Sequence, residues 1–265
     1  MTQTSMTPVL LAGAAGKMGK AAVKALTDSS FYELTATFTH QSGLGQDAGQ
    51  YAGLPPVGLP LENFAPEVLH ASEKNALWLD LSVAESAFAH AQAVIPAKIP
   101  MVIGATGFTE DQLHTLDQLA KTHDTGILLV PNFSIGALLM MRFAAAASRH
   151  FNWAEIIELH HEKKKDAPSG TARKTAEMMA ETNPHFEVAT PDFAARGECY
   201  RGIPIHSVRL PGLLAHQEVI LGGVGQTLTL RHDSIDRASF MPGVLLALDH
   251  VAACKGLVYG LESFI

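Results

Sequence analysis

Cysteine is nearly absent: Cys199 and Cys254 are the only two in 265 residues. They form no disulfide framework and no metal-ligand spacing, and they suit a reducing compartment. Positive charge is also scarce, with 19 Lys and Arg against 26 Asp and Glu and a net charge of -7. That balance argues against a nucleic-acid or anionic-membrane partner. No apolar run approaches the length of a bilayer span, so no membrane partner is expected. Residues 1–7 are polar and lack the basic and apolar regions of a secretory signal, so the expected location is cytoplasmic. Thirteen histidines are present, but only His160 and His161 adjoin, and no HExxH-like spacing occurs, so no metal centre is expected. Repeats and low-complexity tracts are absent. What remains is a chain 47% apolar and 17% charged, enough for a packed core.

Short apolar stretches at 8–12, 33–39, 77–81, 101–103 and 126–130 alternate with helical patterns at 18–26, 85–95 and 109–122. This alternation predicts an α/β fold with a parallel, doubly wound sheet. Residues 41–60, rich in Gly, Gln and Pro, read as loop. The pattern changes after Asn132. A long helix is predicted over 135–151, then strands at 155–161, 205–209, 216–221 and 226–231. Short turns such as Gly222-Gly223 make these mostly antiparallel. A last helix is predicted over 241–257. The expected domains are 1–132 with 236–265 returning to it, and 133–235.

Gly13-Ala14-Ala15-Gly16-Lys17-Met18-Gly19 follows the first strand and opens the first helix. Gly13 permits the tight turn, Gly16 keeps the helix start bare for a pyrophosphate, and Gly19 permits close helix–strand packing. The spacing is GxxGxxG, so the strand–turn–helix context carries the argument; the competing reading is a turn shaped by packing alone. An acidic residue after the second strand would bind the ribose hydroxyls of NAD. Here that strand ends Phe38-Thr39-His40. Lys17, Thr39 and His40 suit a 2′-phosphate instead, so NADPH is expected as the preferred cofactor, with NADH possible. Three further segments follow strands at the same sheet edge: Asp80-Leu81-Ser82, Gly104-Ala105-Thr106-Gly107-Phe108, and Pro131-Asn132-Phe133-Ser134. Ligands of open α/β sheets sit at that edge.

The densest chemistry lies in Glu158-Leu159-His160-His161-Glu162-Lys163-Lys164-Lys165-Asp166-Ala167-Pro168-Ser169-Gly170-Thr171. Two imidazoles, three ammonium groups and a Ser-Gly-Thr helix start can hold a dianionic small molecule and deliver a proton to it. A solvated basic loop is the plainer alternative. If the segment is extended, Lys163 and Lys165 face away from Lys164 and lend only electrostatic support. Two other functions share the glycine turn: a dehydrogenase of amino or semialdehyde acids, and a nucleotide sensor without catalysis. Neither calls for the His-His-Lys-Ser-Gly-Thr cluster.

Over nearly its whole length the chain resembles the 4-hydroxy-tetrahydrodipicolinate reductase family of the diaminopimelate route to lysine. The signature Glu-x-His-His-x-x-Lys-x-Asp-Ala-Pro-Ser-Gly-Thr-Ala is matched at Glu158, His160, His161, Lys164, Asp166, Ala167, Pro168, Ser169, Gly170, Thr171 and Ala172. The resemblance implies a Rossmann-like domain plus an α+β substrate domain, with a mixed, largely antiparallel sheet that builds a homotetramer. It implies NAD(P)H-dependent reduction of a cyclic imine dicarboxylate. By the same resemblance His160 matches the proton donor and acceptor, and Lys164 a second proton donor. His161, Ser169, Gly170 and Thr171 match substrate-binding positions, and Thr106 a residue near nicotinamide and substrate. Cofactor contacts match Gly13 to Met18, Gly104, Ala105 and Thr106, and Val130, Pro131, Asn132 and Phe133. The chain departs from many members at Ala15, Lys17, Leu81, Ser82 and Ala105, and in lacking the acid after the second strand. Those positions bear on cofactor choice rather than on reaction type.

Overall fold

The computed structural model describes residues 6–71, 75–186 and 194–265. Most of the polar N-terminal stretch, residues 1–5, lies outside the described residues. In chain order the elements are β1 (Thr7–Ala12), α1 (Lys17–Thr27), β2 (Tyr32–Phe38), α2 (Ala48–Tyr51), β3 (Leu61–Glu62), β4 (Leu77–Asp80), α3 (Ala84–Val94), β5 (Met101–Ile103), α4 (Glu110–Thr122) and β6 (Gly126–Leu129). Then come α5 (Ile135–Ser148), β7 (Trp153–His160), α6 (Gly170–Thr182), β8 (Glu198–Tyr200), β9 (Ile203–Arg209), β10 (Ala215–Gly223), β11 (Gln226–Ser234), α7 (Met241–Val251) and β12 (Gly256–Tyr259). They form two compact units: the chain up to Phe133 with Phe240–Phe264, and Ser134–Ser239 with Ile265.

The first unit holds a seven-stranded sheet in the order β12-β6-β5-β4-β1-β2-β3. All its pairings are parallel. The apolar runs that form its centre are buried on both faces, as parallel strands require: Val9, Leu10 and Leu11, Leu77 to Leu79, Met101 to Ile103, and Ile127 to Leu129. The order in which strands are added reverses at β1, which lies between β4 and β2, and such a switch point leaves a crevice at the strand ends. α4 begins with a capping box in which Thr109 and Gln112 satisfy each other's backbone N–H groups.

The second unit holds a five-stranded sheet in the order β11-β10-β7-β9-β8. It is mixed: β7 and β9 run parallel, and the other three pairings are antiparallel. Along β7, Ala154, Ile156 and Glu158 are buried while Ile157 and Leu159 are half-buried. The sheet therefore covers one face and opens the other.

Three sequence expectations are corrected. The helix predicted over 241–257 stops at Val251; Gly256 turns the chain at φ +70, and β12 joins the sheet beside β6. Leu257 and Val258 carry apolar side chains that suit either element, and pairing with β6 decides between them. The 41–60 loop contains α2, whose start is held by the Asp47 carboxylate accepting N–H groups of Gln50, Val57 and Gly58. Gly222 and Gly223 belong to β10; the hairpin turns after them, at Gly225 with φ +72.

Candidate active site

In the first unit a cleft of about 460 Å³ opens beyond the carboxyl ends of β1, β2 and β4. Gly13, Thr39 and His40 line it, together with Gln41, Ser82 and His90. Gly13 has φ +77, and a Cβ there would lie 2.6 Å from the Leu81 carbonyl carbon. A Cβ at Gly19 would lie 2.1 Å from the Gly13 carbonyl oxygen. Both positions thus exclude a side chain. Gly16 is the N-cap of α1 and supplies no side-chain cap, so the helix start stays bare for an anion. Lys17 lies exposed in that first turn, Met18 is half-buried, and Ala14 is buried.

Backbone bonds extend the sheet past the strands and align the other predicted segments. Leu81 N–H donates to Ala12, Gly104 N–H to Asp80, and Val130 N–H to Ile103. At Gly104 an added Cβ would meet Leu81 Cδ2 and the Phe133 ring at 2.8 Å each. The turns after β4, β5 and β6 therefore converge, with Ala105 and Val130 buried and Thr106 and Pro131 exposed. The β2 end carries no carboxylate into the cleft among the described lining residues. Instead Asn63, with its amide oriented to donate, reaches the carbonyls of Thr39 at 3.0 Å and His40 at 2.9 Å.

His90, Gln41, Asn63 and Ser86 were not legible as lining residues. His90 lies on α3, ten positions past Asp80, and only folding brings it to the cleft. Asp80 and Ser82 were placed at the sheet edge, but the hold of Asp80 on both Ser82 and His90 has no local signature.

The second unit assembles the charged segment around Glu158. Its side chain, on β7, is inaccessible to solvent. Oε2 lies 2.6 Å from Nδ1 of His160 and accepts from Nη1 of Arg209 at 2.8 Å. Oε1 accepts from Nη2 of Arg209 at 2.8 Å and from Ser169 N–H at 3.1 Å. Burial alone would raise this carboxyl's pKa, but hydrogen bonds from His160, Arg209 and Ser207 outweigh it and bring the value down to about 2. An ionised carboxylate only accepts, so Nδ1 of His160 carries a hydrogen and Nε2 is the position left for proton exchange.

The segment after β7 is not extended. Lys164 N–H bonds back to the His161 carbonyl, so the alternation expected for Lys163 and Lys165 does not apply. Both are exposed, while Lys164 is half-buried and bonds both oxygens of Asp166 at 2.8 Å. Burial raises the Asp166 pKa, and the hydrogen bond from Lys164 more than reverses that, leaving the carboxyl below its usual value. Arg209 Nη2 also donates to the Asp166 carbonyl at 2.7 Å, which pins the turn. The Ala167–Pro168 peptide is cis. Ser169 then caps α6 by accepting Ala172 N–H at 3.2 Å. Space stands open where a Cβ of Gly170 would be. Nδ1 of His161 is buried and meets no hydrogen-bond partner among the described residues, the kind of orphaned polar atom a ligand satisfies. The sequence placed Arg209 in this sheet but missed that it clamps Glu158.

A parallel sheet with a bare glycine turn at its switch point, in one chain with a unit that carries carboxylate-held imidazole and ammonium groups, defines a two-domain pyridine-nucleotide oxidoreductase. The fold recurs in an amine dehydrogenase from Mycobacterium smegmatis, with TM-score 0.65 and 13% identity over 96% of this chain and 95% of that one. The particular family is plain from the sequence. The family model "Dihydrodipicolinate reductase, N-terminus" matches residues 7–133, and "Dihydrodipicolinate reductase, C-terminus" matches 136–265. The 4-hydroxy-tetrahydrodipicolinate reductase of Geobacillus thermodenitrificans is 44% identical over 97% of this chain and 98% of its own length. The structure of dipicolinate-bound dihydrodipicolinate reductase from Paenisporosarcina sp. TG-14 superposes with TM-score 0.83 and 43% identity, covering 98% of this chain and all of that one. The chain belongs to the dihydrodipicolinate reductase family, oxidoreductases that act in the diaminopimelate route to lysine.

Proposed function

We propose that this chain reduces 4-hydroxy-tetrahydrodipicolinate to tetrahydrodipicolinate with NADPH in preference to NADH, using His160 and Lys164 as its proton donors. The observation that carries this reading is the anchorage of His160 and the α6 start on one buried carboxylate, Glu158, and of the Lys164 turn on Arg209, which that carboxylate binds. A product that must gain a proton at carbon needs a donor held in one tautomer, and Glu158 holds His160 so.

When bound, the reduced nicotinamide supplies the hydride. The turn from Gly13 to Met18 would hold its pyrophosphate, since Gly13 and Gly19 leave room for backbone alone. The segments Gly104–Thr106 and Val130–Phe133 would border the nicotinamide. Thr39 and His40 at the β2 end, with the exposed Lys17 in the first turn of α1, offer hydrogen-bond donors and a cation in place of the usual acid, which favours a 2′-phosphate. In the second unit, His161, Ser169, Gly170 and Thr171 would grip the substrate carboxylates: α6 contributes its positive end, and the buried Nδ1 of His161 gains a partner. The Paenisporosarcina relative was solved with dipicolinate, a twice-negative ring of that class. The chain segments 1–132 with 236–265, and 133–235, would serve as cofactor and substrate domains respectively.

We assign the open sheet face of the second unit to a homotetramer. That face carries the half-buried Ile157, Leu159, Val208 and Ile220 with Glu155, His206 and Glu218 among them, and Trp153 at its end is 46% exposed. Two free cysteines fit a cytoplasmic setting. Among the described residues no helix is long and apolar enough to cross a membrane. The deciding experiment is an assay coupled to the precursor synthase, run with NADPH and then NADH. A lower Michaelis constant for NADPH is expected; a clear NADH preference refutes the cofactor assignment.

A further inference from the structure

We propose that Glu158 and Arg209 act as opposed positioning residues that set how readily His160 exchanges its proton, an inference that rests on His160 being the proton donor proposed above. The geometry is specific. One carboxylate oxygen, Oε2 of Glu158, serves both Nδ1 of His160 at 2.6 Å and Nη1 of Arg209 at 2.8 Å. Nη2 of Arg209 takes the other oxygen at 2.8 Å, so the guanidinium faces the carboxylate through both nitrogens. All three groups are sheltered: the accessible fractions of the side chains are 0% for Glu158, 15% for His160 and 18% for Arg209.

The two charges act on the imidazole with opposite sign. The carboxylate favours imidazolium, and in a sheltered site its pull is strong. The guanidinium, bound to the same oxygen, spends part of that negative charge and adds a nearby positive one. Without Arg209, the imidazolium would be held too firmly to release its proton to carbon. Without Glu158, the imidazole would face an uncompensated guanidinium and would not keep its proton.

The remaining neighbours leave this balance to the pair. β10 sets Ala215 opposite His160 and Gln217 opposite Glu158, both uncharged. α6 meets Gln217 through the Thr175 hydroxyl, and its Arg173 and Lys174 are paired with Glu198 and Glu177. In the turn after β7, Lys164 and Asp166 bond each other, His161 follows directly in the chain, and Glu162, Lys163 and Lys165 are exposed.

The test reads the proton on His160 directly and through catalysis. The His160 Cε1–H resonance, assigned by its loss in His160→Gln, is titrated in wild type, Glu158→Gln and Arg209→Gln, and kcat and KM are measured against pH. Glu158→Gln is expected to move the His160 midpoint, and the matching limb of the kcat profile, to lower pH by about one unit. Arg209→Gln is expected to move both to higher pH by about as much. In both variants kcat falls by about tenfold or more near neutral pH, with a smaller change in KM. A purely structural pair would shift stability and leave both midpoints in place, and that result overturns the inference; so does a shift of the two variants in one direction. Should a single variant fail to fold, Glu158→Gln/Arg209→Gln removes both buried charges together. A midpoint close to wild type is then expected, and one displaced by a full unit overturns the balance. The underlying assignment fails separately: His160→Gln with full activity removes the donor itself, whereas an inactive His160→Gln with unmoved midpoints in the other variants removes only this inference.

Discussion

The buried carboxylate of Asp80 lies 2.6 Å, Oδ2 to Nδ1, from His90, joining the end of β4 to α3 across the floor of the cofactor cleft. The same carboxylate accepts Trp78 Nε1–H and Ser82 N–H, each at 3.1 Å, and the Ser82 hydroxyl. Trp78 in turn stacks on Phe38 with ring centroids 5.2 Å apart, and Phe64 packs edge-on to both. One acid thus orients two walls of the cleft, Ser82 and His90, from inside the core.

Asp80→Asn keeps the shape but turns one acceptor oxygen into a donor amide facing donors. Expected is a loss of about 1–3 kcal/mol in urea unfolding. NADPH affinity, read by fluorescence titration, weakens by about tenfold, because the cleft walls loosen while the proposed proton donors are untouched. Unchanged affinity in a folded variant would show that the network serves stability alone.

Two glycines separate packing from binding. Gly19→Ala drives a methyl against the Gly13 carbonyl and the Ala14 backbone, 2.1 and 2.7 Å away. It is expected to cost about 1–3 kcal/mol and to weaken NADPH binding. Gly170→Ala meets open space. Its thermal midpoint should stay near wild type while KM for the dicarboxylate rises. A normal KM would move the substrate away from the α6 start.

His160→Gln and Lys164→Ala should each lower turnover by about 10²-fold or more with the circular dichroism spectrum retained. Full activity in both would reject the proton-donor roles.

The depressed pKa of Glu158 implies a signed pH dependence of stability. Its value falls from an ordinary carboxyl's, near 4.5, to about 2 in the folded protein. The native state therefore binds fewer protons than the unfolded chain between those values. The contribution, about 3 kcal/mol by linkage, is complete above pH of about 4.5 and is lost as pH falls towards 2. Urea midpoints measured from pH 6 to pH 2.5 should fall steeply in wild type and less steeply in Glu158→Gln. Parallel curves would place the acid sensitivity elsewhere.

Local pattern carried much of the fold into view. The apolar runs of β1, β4, β5 and β6 need only chain-neighbour information, because strands buried on both faces are apolar throughout. Thr109, Ser134 and Ser169 announce α4, α5 and α6 because capping acts within three residues. The end of α7 escaped, since Leu257 and Val258 suit a helix as well as the strand that pairing with β6 makes of them.

The sequence by itself determined the alternation of the main strands and helices up to β6, the glycine turn and the presence of adjacent imidazole and ammonium groups, because each depends on residues close along the chain. Only the tertiary structure decided that Glu158 sits between His160 and Arg209, that Asp80 steadies His90, and that 256–259 completes the sheet. Those relations join residues that are brought together by burial and backbone pairing, and burial gives a carboxylate its leverage: out of water, a charge must find its partners within the protein.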